Sequence, residues 1–209
     1  ELFIAGTVNT QSCADASSCY QQTKSGASAQ LKLLGVDTLD MLMLDYPSSA
    51  GCAAISGQWR AFEELYAAKL SRTIAVSNFG PDQLKCVFSN ASATPPAVNQ
   101  LQYSVGHGSD TAVADNAKLG VVVQAYSPLG DGSLAHDKVC SQIGKAHNKT
   151  SAQIALKWIL QRNATIATQS TKIQHLVEDL DLFDFELSTG EMSQLNSHTS
   201  LSGPASVYI

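Results

Sequence analysis

The sequence predicts an α/β fold on three observations: short apolar runs alternate with longer stretches at helical spacing, the connecting segments are short, and 209 residues suit one domain with a sizeable core. The candidate strands are Leu2 to Ile4, Leu39 to Leu44, Thr73 to Val76, Ala97 to Leu101, Gly120 to Ala125 and Thr165 to Thr168. Strands separated in this way by helices pair in parallel, because a parallel neighbour needs a crossover connection.

The candidate helices are Ala27 to Leu34, Trp59 to Leu70, Pro81 to Asn90, Thr111 to Leu119 and Ser151 to Gln161. Gly35 is placed to stop the first, since a helix end takes a left-handed residue readily at glycine. Pro81 and Asp82, after Phe79-Gly80, open the third: proline lacks only an amide hydrogen that the first turn leaves unused, and an acid favours the positive end of the helix dipole. In the last helix Ser151 is the expected cap. There Ile154, Ala155, Trp158 and Ile159 form one apolar stripe, read as core against the sheet. Turns are expected at Pro47, Pro95-Pro96 and Pro128-Leu129-Gly130.

Thirteen Lys and Arg against eighteen Asp and Glu leave a formal net charge of −5, with no basic run to track a phosphate backbone, so nucleic acid is not an expected partner. No stretch approaches the ~20 apolar residues of a spanning helix. Five cysteines, Cys13, Cys19, Cys52, Cys86 and Cys140, lie at no metal-ligand spacing from a histidine, and no metal is expected. Their odd count predicts reduced, mostly buried thiols. Three Asn-x-Ser/Thr triplets, at Asn90, Asn148 and Asn163, are read as chance occurrences.

Four segments carry more than pattern: Val76-Ser77-Asn78-Phe79, Val98-Asn99-Gln100, Ala125-Tyr126-Ser127-Pro128-Leu129-Gly130 and Leu182-Phe183-Asp184-Phe185-Glu186-Leu187. With Glu1-Leu2-Phe3-Ile4, Leu33-Leu34-Gly35-Val36-Asp37 and Glu63-Glu64-Leu65-Tyr66, they resemble the aldo-keto reductases in order and spacing across nearly the whole chain. That resemblance implies a (β/α)8 TIM-type barrel of which six strand-helix units are visible. Residues 1–209 would form a single barrel domain, incomplete at its N-terminus. Barrels of this kind place their chemistry at the C-terminal ends of the strands, where Ser77-Asn78, Gln100 and Tyr126-Ser127 each follow an apolar run.

The resemblance also implies residue roles. Ser77, Asn78 and Gln100 would hydrogen-bond a nicotinamide carboxamide, the Tyr126 ring would stack on the nicotinamide, and Ser127, Leu129 and Gly130 would cradle the pyrophosphate. The family's reduction uses a tyrosine proton donor, a lysine and aspartate that tune it, and a histidine that orients the carbonyl. The lysine position reads Thr7 and the histidine position Asp45, while the tyrosine and aspartate would lie upstream of Glu1. At the adenosine end the family's Lys-Ser reads Gln169-Ser170, the arginine reads His175, and Glu-Asn reads Glu178-Asp179. With two cations gone, NADP or NAD is expected to bind weakly or not at all.

Besides a domain of this fold that takes an unrelated ligand in the same mouth, two functions are weighed on these grounds. One is a catalytically impaired or inactive member, a pseudoenzyme serving as a binding or structural subunit of a larger assembly, with a protein partner covering the open edge of the barrel. The other is an NAD(P)H-dependent reductase of aldehydes or ketones with an altered proton relay and a small carbonyl substrate. The family default for location is the cytoplasm, with an organelle as the alternative.

Overall fold

Strands of alternating pattern must bury two faces when helices cover one of them and the interior of a sheet the other. A computed structural model describes residues 2–90, 94–108 and 111–198. Its strands are β1 (Ala5–Asn9), β2 (Met41–Asp45), β3 (Ile74–Ser77), β4 (Val98–Gln102), β5 (Val122–Tyr126) and β6 (Thr165–Ile166). Its helices are α1 (Ala16–Leu34), α2 (Cys52–Ala67), α3 (Pro81–Asn90), α4 (Ala112–Lys118), α5 (Lys138–His147), α6 (Ser151–Gln161), α7 (Ile173–Leu180) and α8 (Thr189–Asn196). The described chain divides into two compact units, residues 2–100 with 118–121 in the first and 101–117 with 122–198 in the second.

In the first unit β1 to β4 pair in parallel and in sequence order. One face of this sheet, with Val8, Leu42, Leu44, Ile74 and Val76, packs on Ile55, Trp59, Phe62 and Leu65 of α2, Ala27 of α1, and Leu84 and Val87 of α3. Each such side chain, fully removed from water, contributes about 1.5 to 3 kcal/mol. The opposite face carries Met41, Met43, Ala75 and Val98. Gly57 is required where α2 crosses the start of α1: a Cβ there would stand 2.1 Å from the Ala16 carbonyl oxygen.

In the second unit β5 pairs with β6 in parallel, and the core gathers Val123, Ala125, Ile154, Ala155, Trp158 and Ile159 with Tyr103, Ile143, Leu187 and Leu195. The predicted stripe of α6 is thus core, and the Tyr103 and Trp158 rings stack with centroids 5.2 Å apart. Lysines on and beside α6 hold the segment 181–187 against it. Lys157 Nζ donates to the Leu182 carbonyl and to Glu186, both at 3.0 Å, and Lys149 pairs with Asp181 and Asp184. Gln161 closes the clamp, donating to the Leu187 carbonyl and accepting from its N–H. In α7, Ile173, Val177 and Leu180 stay exposed.

Several expectations are corrected. The first strand is Ala5–Asn9 rather than Leu2 to Ile4; Leu2 and Phe3 are exposed, and the ladder with β2 begins at Ala5. Helix α1 begins eleven residues before Ala27, at Ala16, because its buried positions are the small Cys19, Thr23 and Ala27, which leave no periodic signal of large side chains; it stops at Gly35 as expected. The cap of α6 is Thr150, in a reciprocal box with Gln153, while the Ser151 hydroxyl donates to the Leu134 carbonyl at 2.6 Å. Helices α5, α7 and α8 were not anticipated, although the Ser188 to Glu191 capping box is legible in sequence.

The cysteines are the largest departure. Cys13 pairs with Cys19, and Cys52, at the first turn of α2, pairs with Cys86 of α3; Cys140 alone is free and fully buried. Close placement of the partners in the fold, invisible in a scattered linear order, decides the pairing. The Cys52–Cys86 bridge closes a separation of 34 residues, so C52S is expected to lower unfolding stability by about 3 to 4 kcal/mol. Denaturant titration of parent and variant without reductant checks this, and the difference should vanish when both are reduced.

Candidate active site

The ladder of the first unit aligns more than its core. Asn9 pairs with Asp45, Asp45 with Ser77, and Ser77 with Gln100, so four polar residues form a row across the sheet, at the C-terminal ends of β1, β2 and β3 and at the middle residue of β4. By the two-residue alternation they share the face that carries Met43, Ala75 and Val98 one step below. Thr7 belongs to that lower step, opposite Met43. The residue beside Asp45 in the ladder is therefore Asn9, a position with no role in the sequence reading. Thr7, Val8, Asn9 and Thr10 line a separate cleft with Gln22, Ser25 and Gly26 of α1.

Asp45 is tied into this row. Asn78 Nδ2 donates to Asp45 Oδ1 at 3.1 Å and to Ser77 Oγ at 3.0 Å. Burial pushes the Asp45 carboxyl above its ordinary value, and hydrogen bonds from Ser77 and Asn78 oppose that rise. Asn78 itself is left-handed, at φ 63°, as is Tyr46 after β2 at φ 61°. Non-glycine residues in this region cost of order 1 kcal/mol or more, and such strain gathers at functional sites.

What holds Asn78 in place is Asn99, fully buried on the helix-facing side. Its Nδ2 donates to the Phe79 carbonyl at 2.8 Å, and its Oδ1 accepts from the Phe79 N–H at 3.4 Å. The Asn78 N–H donates to the Gln100 carbonyl at 2.9 Å, and the Tyr46 N–H to the Ser77 carbonyl at 3.1 Å. The signal for Asn99 was present in the sequence: an amide at an alternation step that otherwise faces helices has to find partners inside.

The second unit holds the rest of the predicted positions. Tyr126, Ser127, Pro128, Leu129, Asp131 and Gly132 after β5, with Ala167, Thr168 and Gln169 after β6, line an open cavity of about 620 Å³. Ser127 is left-handed at φ 47°, and the Gly130 N–H closes a tight turn on the Ser127 carbonyl at 2.9 Å. Leu129 also packs on the core of this unit. Ser170, His175 and Asp179 do not line the cavity; they form a neighbouring polar group. Ser170 Oγ lies 3.3 Å from His175 Nδ1 and accepts from the Lys172 N–H at 3.1 Å. Burial raises the Asp179 carboxyl, opposed by a hydrogen bond from Thr168 and by His175. Lys172, exposed in this loop, is a cation that the sequence reading passed over.

The comparisons with known proteins bear on the family and the fold. The family model described as "Aldo/keto reductase family" matches residues 2–200. An aldo-keto reductase of Mycolicibacterium vanbaalenii is 31% identical over 196 residues, covering 94% of this chain and 68% of that protein. Glyoxal reductase of Bacillus subtilis is 32% identical, with 94% and 68% covered, and morphine 6-dehydrogenase of Pseudomonas putida is 32% identical, with 85% and 64% covered. Among solved structures, an aldo-keto reductase from a deep-sea metagenome library superposes with TM-score 0.87 at 26% identity, over 99% of this chain and 74% of that one. A Bombyx mori aldo-keto reductase complexed with NADPH gives 0.83 at 25%, over 95% and 64%. The chain belongs to the aldo/keto reductase family, and its fold class is the (β/α) barrel with six strand-helix units present. It spans about two thirds of the length of these curated relatives.

Two outcomes follow from the polar row. Asn99→Ala leaves a buried amide and a buried carbonyl unpaired, and is expected to cost about 2 to 4 kcal/mol of stability, measured by denaturant unfolding. For Asp45, the raised folded value means that the folded state holds its proton more tightly than the unfolded chain. Its contribution is present below the ordinary value of 3.8 and is lost as pH rises through the raised one. D45N should therefore gain stability relative to the parent between acidic and neutral pH, read as diverging midpoints in a pH series of urea titrations.

Proposed function

We propose that this protein is an NAD(P)H-dependent reductase of aldehydes or ketones whose proton relay departs from the family's. The observation that carries the reading is the joint presence of a hydrogen-bonding set, Ser77 and Asn78 at the end of β3 with Gln100 beside Ser77 in the ladder, and of an open cavity bounded by Tyr126, Ser127 and Gln169. Amide and hydroxyl groups suit a carboxamide, and an aromatic ring suits a flat heterocycle. The names of the relatives, glyoxal reductase and morphine 6-dehydrogenase, support carbonyl and alcohol chemistry, and the NADPH of the silkworm enzyme supports the cofactor class.

In such a reduction a hydride passes from the dihydronicotinamide to the carbonyl carbon and a proton reaches its oxygen, giving an alcohol and the oxidised cofactor. Thr7 supplies no charge to stabilise a phenolate. Asp45, its carboxyl raised by burial, would act only as the protonated acid, donating a hydrogen bond where the family has a histidine.

Those two positions favour the second reading, a non-catalytic member that binds nucleotide or serves as a subunit. A partner or further strands of the same fold would then cover the edge of β1 that no described strand pairs with and the exposed apolar side chains of α7. The assay that separates the readings is cofactor oxidation by the full-length protein with a nitrobenzaldehyde. Turnover of ~1 per second or more is expected for a working relay, and nucleotide binding without turnover would favour the subunit.

At the adenosine end the parent should distinguish NADP from NAD by less than ~100-fold, equivalent to ~2.7 kcal/mol. Gln169→Lys adds a charge-assisted contact and should raise affinity for NADP roughly tenfold or more without changing that for NAD, read by calorimetric titration.

A further inference from the structure

Two independent features share one chemical explanation. The first is the distribution of sulfur. Four of five cysteines are bridged, including the solvent-exposed Cys52, and the single thiol, Cys140, is fully buried, with desolvation pushing it up to about 12. The described residues thus expose no thiol at all. A bridge with an exposed partner persists where thiols are kept oxidised, and proteins of reducing compartments rarely keep two.

The second feature is the placement of the Asn-x-Thr triplets. Asn148 follows the last turn of α5 and Asn163 the last turn of α6, both left-handed, at φ 55° and 60°. Both are exposed, and neither side chain makes a hydrogen bond with the described residues. Asparagine tolerates this conformation, which explains the residue type at each helix end. The threonines that complete the triplets have structural roles of their own, Thr150 as the N-cap of α6 and Thr165 donating to the Val123 carbonyl from β6, and neither contact involves the asparagine side chains. The third triplet begins at Asn90 and runs into residues outside the described ones.

We infer that this chain matures in an oxidising, glycosylating compartment and carries N-linked oligosaccharide at Asn148 and Asn163. Short triplets also arise by chance; what lifts these two above chance is the pair of bridges, since disulfide formation and N-glycosylation share one compartment. In the transfer, the Asn Nδ2 bonds to the anomeric carbon of a lipid-pyrophosphate-linked oligosaccharide. The carbon–oxygen bond to the pyrophosphate breaks, Nδ2 loses a proton, and the lipid pyrophosphate leaves. Each bridge forms when two thiols give two electrons and two protons to an oxidised dithiol carrier. A sugar at either position extends from a helix end into solvent and displaces no packed side chain.

The test uses protein isolated from its own source. Digestion followed by an N-glycan amidase in heavy-oxygen water converts each glycosylated asparagine to labelled aspartate. Label at 148 and 163, absent when the amidase is omitted, is the expected result. Alkylation of the denatured, unreduced protein should modify one cysteine, Cys140, and all five after reduction. Unlabelled asparagine at both positions, or five cysteines alkylated without reductant, overturns the proposal. Neither readout depends on cofactor or turnover, so its failure leaves the reductase reading untouched.

Discussion

The parallel register from β1 through β4 is the constraint on which the first unit depends. Because side chains alternate faces with a period of two, fixing Asn9 against Asp45 also fixes Val8 against Leu44, and with it the whole helix-facing core. A slip of one residue would turn Leu42, Leu44, Ile74 and Val76 away from the helices and send Met41, Met43 and Ala75 into them. The apolar surface buried under α2 and α3 is far too large to forfeit in that way. The polar row across the sheet is therefore held by hydrophobic packing on the other face of the same strands. Asp45 stays partly buried there because the packing on the other face fixes the strand that carries it.

The second unit solves a different problem with charge. Lys157 is 5% exposed in its side chain yet reaches the Leu182 carbonyl and Glu186, and its ammonium lies 5.3 Å from the centre of the Phe185 ring. Buried ammonium is tolerable only with such partners. The segment 181–187 has no regular structure of its own, so these lysines, with Gln153 and Gln161, take up its backbone polar groups in place of a ladder. Its likeness to the family tail is a likeness of anchoring residues.

Much of this was legible in the sequence, for identifiable reasons. Helices α3 and α6 were placed to the residue because Pro81 and the Ile154-Trp158 stripe are strong local signals. Five strands were found within a few residues, since apolar runs of that length have few alternatives. Several misses are non-local or made of small residues: α1 buries alanine, threonine and half-cystine, β1 is recognised only by its partner, and the Cys52–Cys86 bridge depends on α2 touching α3, whereas α8 carried a local capping signal that could have placed it. In the site, Asp45, Ser77 and Tyr126 end their strands, whereas Thr7 and Gln100 lie within theirs and Ser170, His175 and Asp179 lie beyond β6. Asn9 enters the row only through ladder register, and Asn99, marked in the sequence as an amide at a helix-facing step, reveals its partner in the Phe79 backbone only in the fold.

Cys140 offers a consequence of another kind. Its thiol is sealed by Ile143 and Ile154 in the core of the second unit and held protonated by that burial, so it can meet a water-soluble reagent only when this region opens. The protein therefore contains, without any label added, a clock for the breathing of one half of its structure: the rate at which a single sulfur disappears.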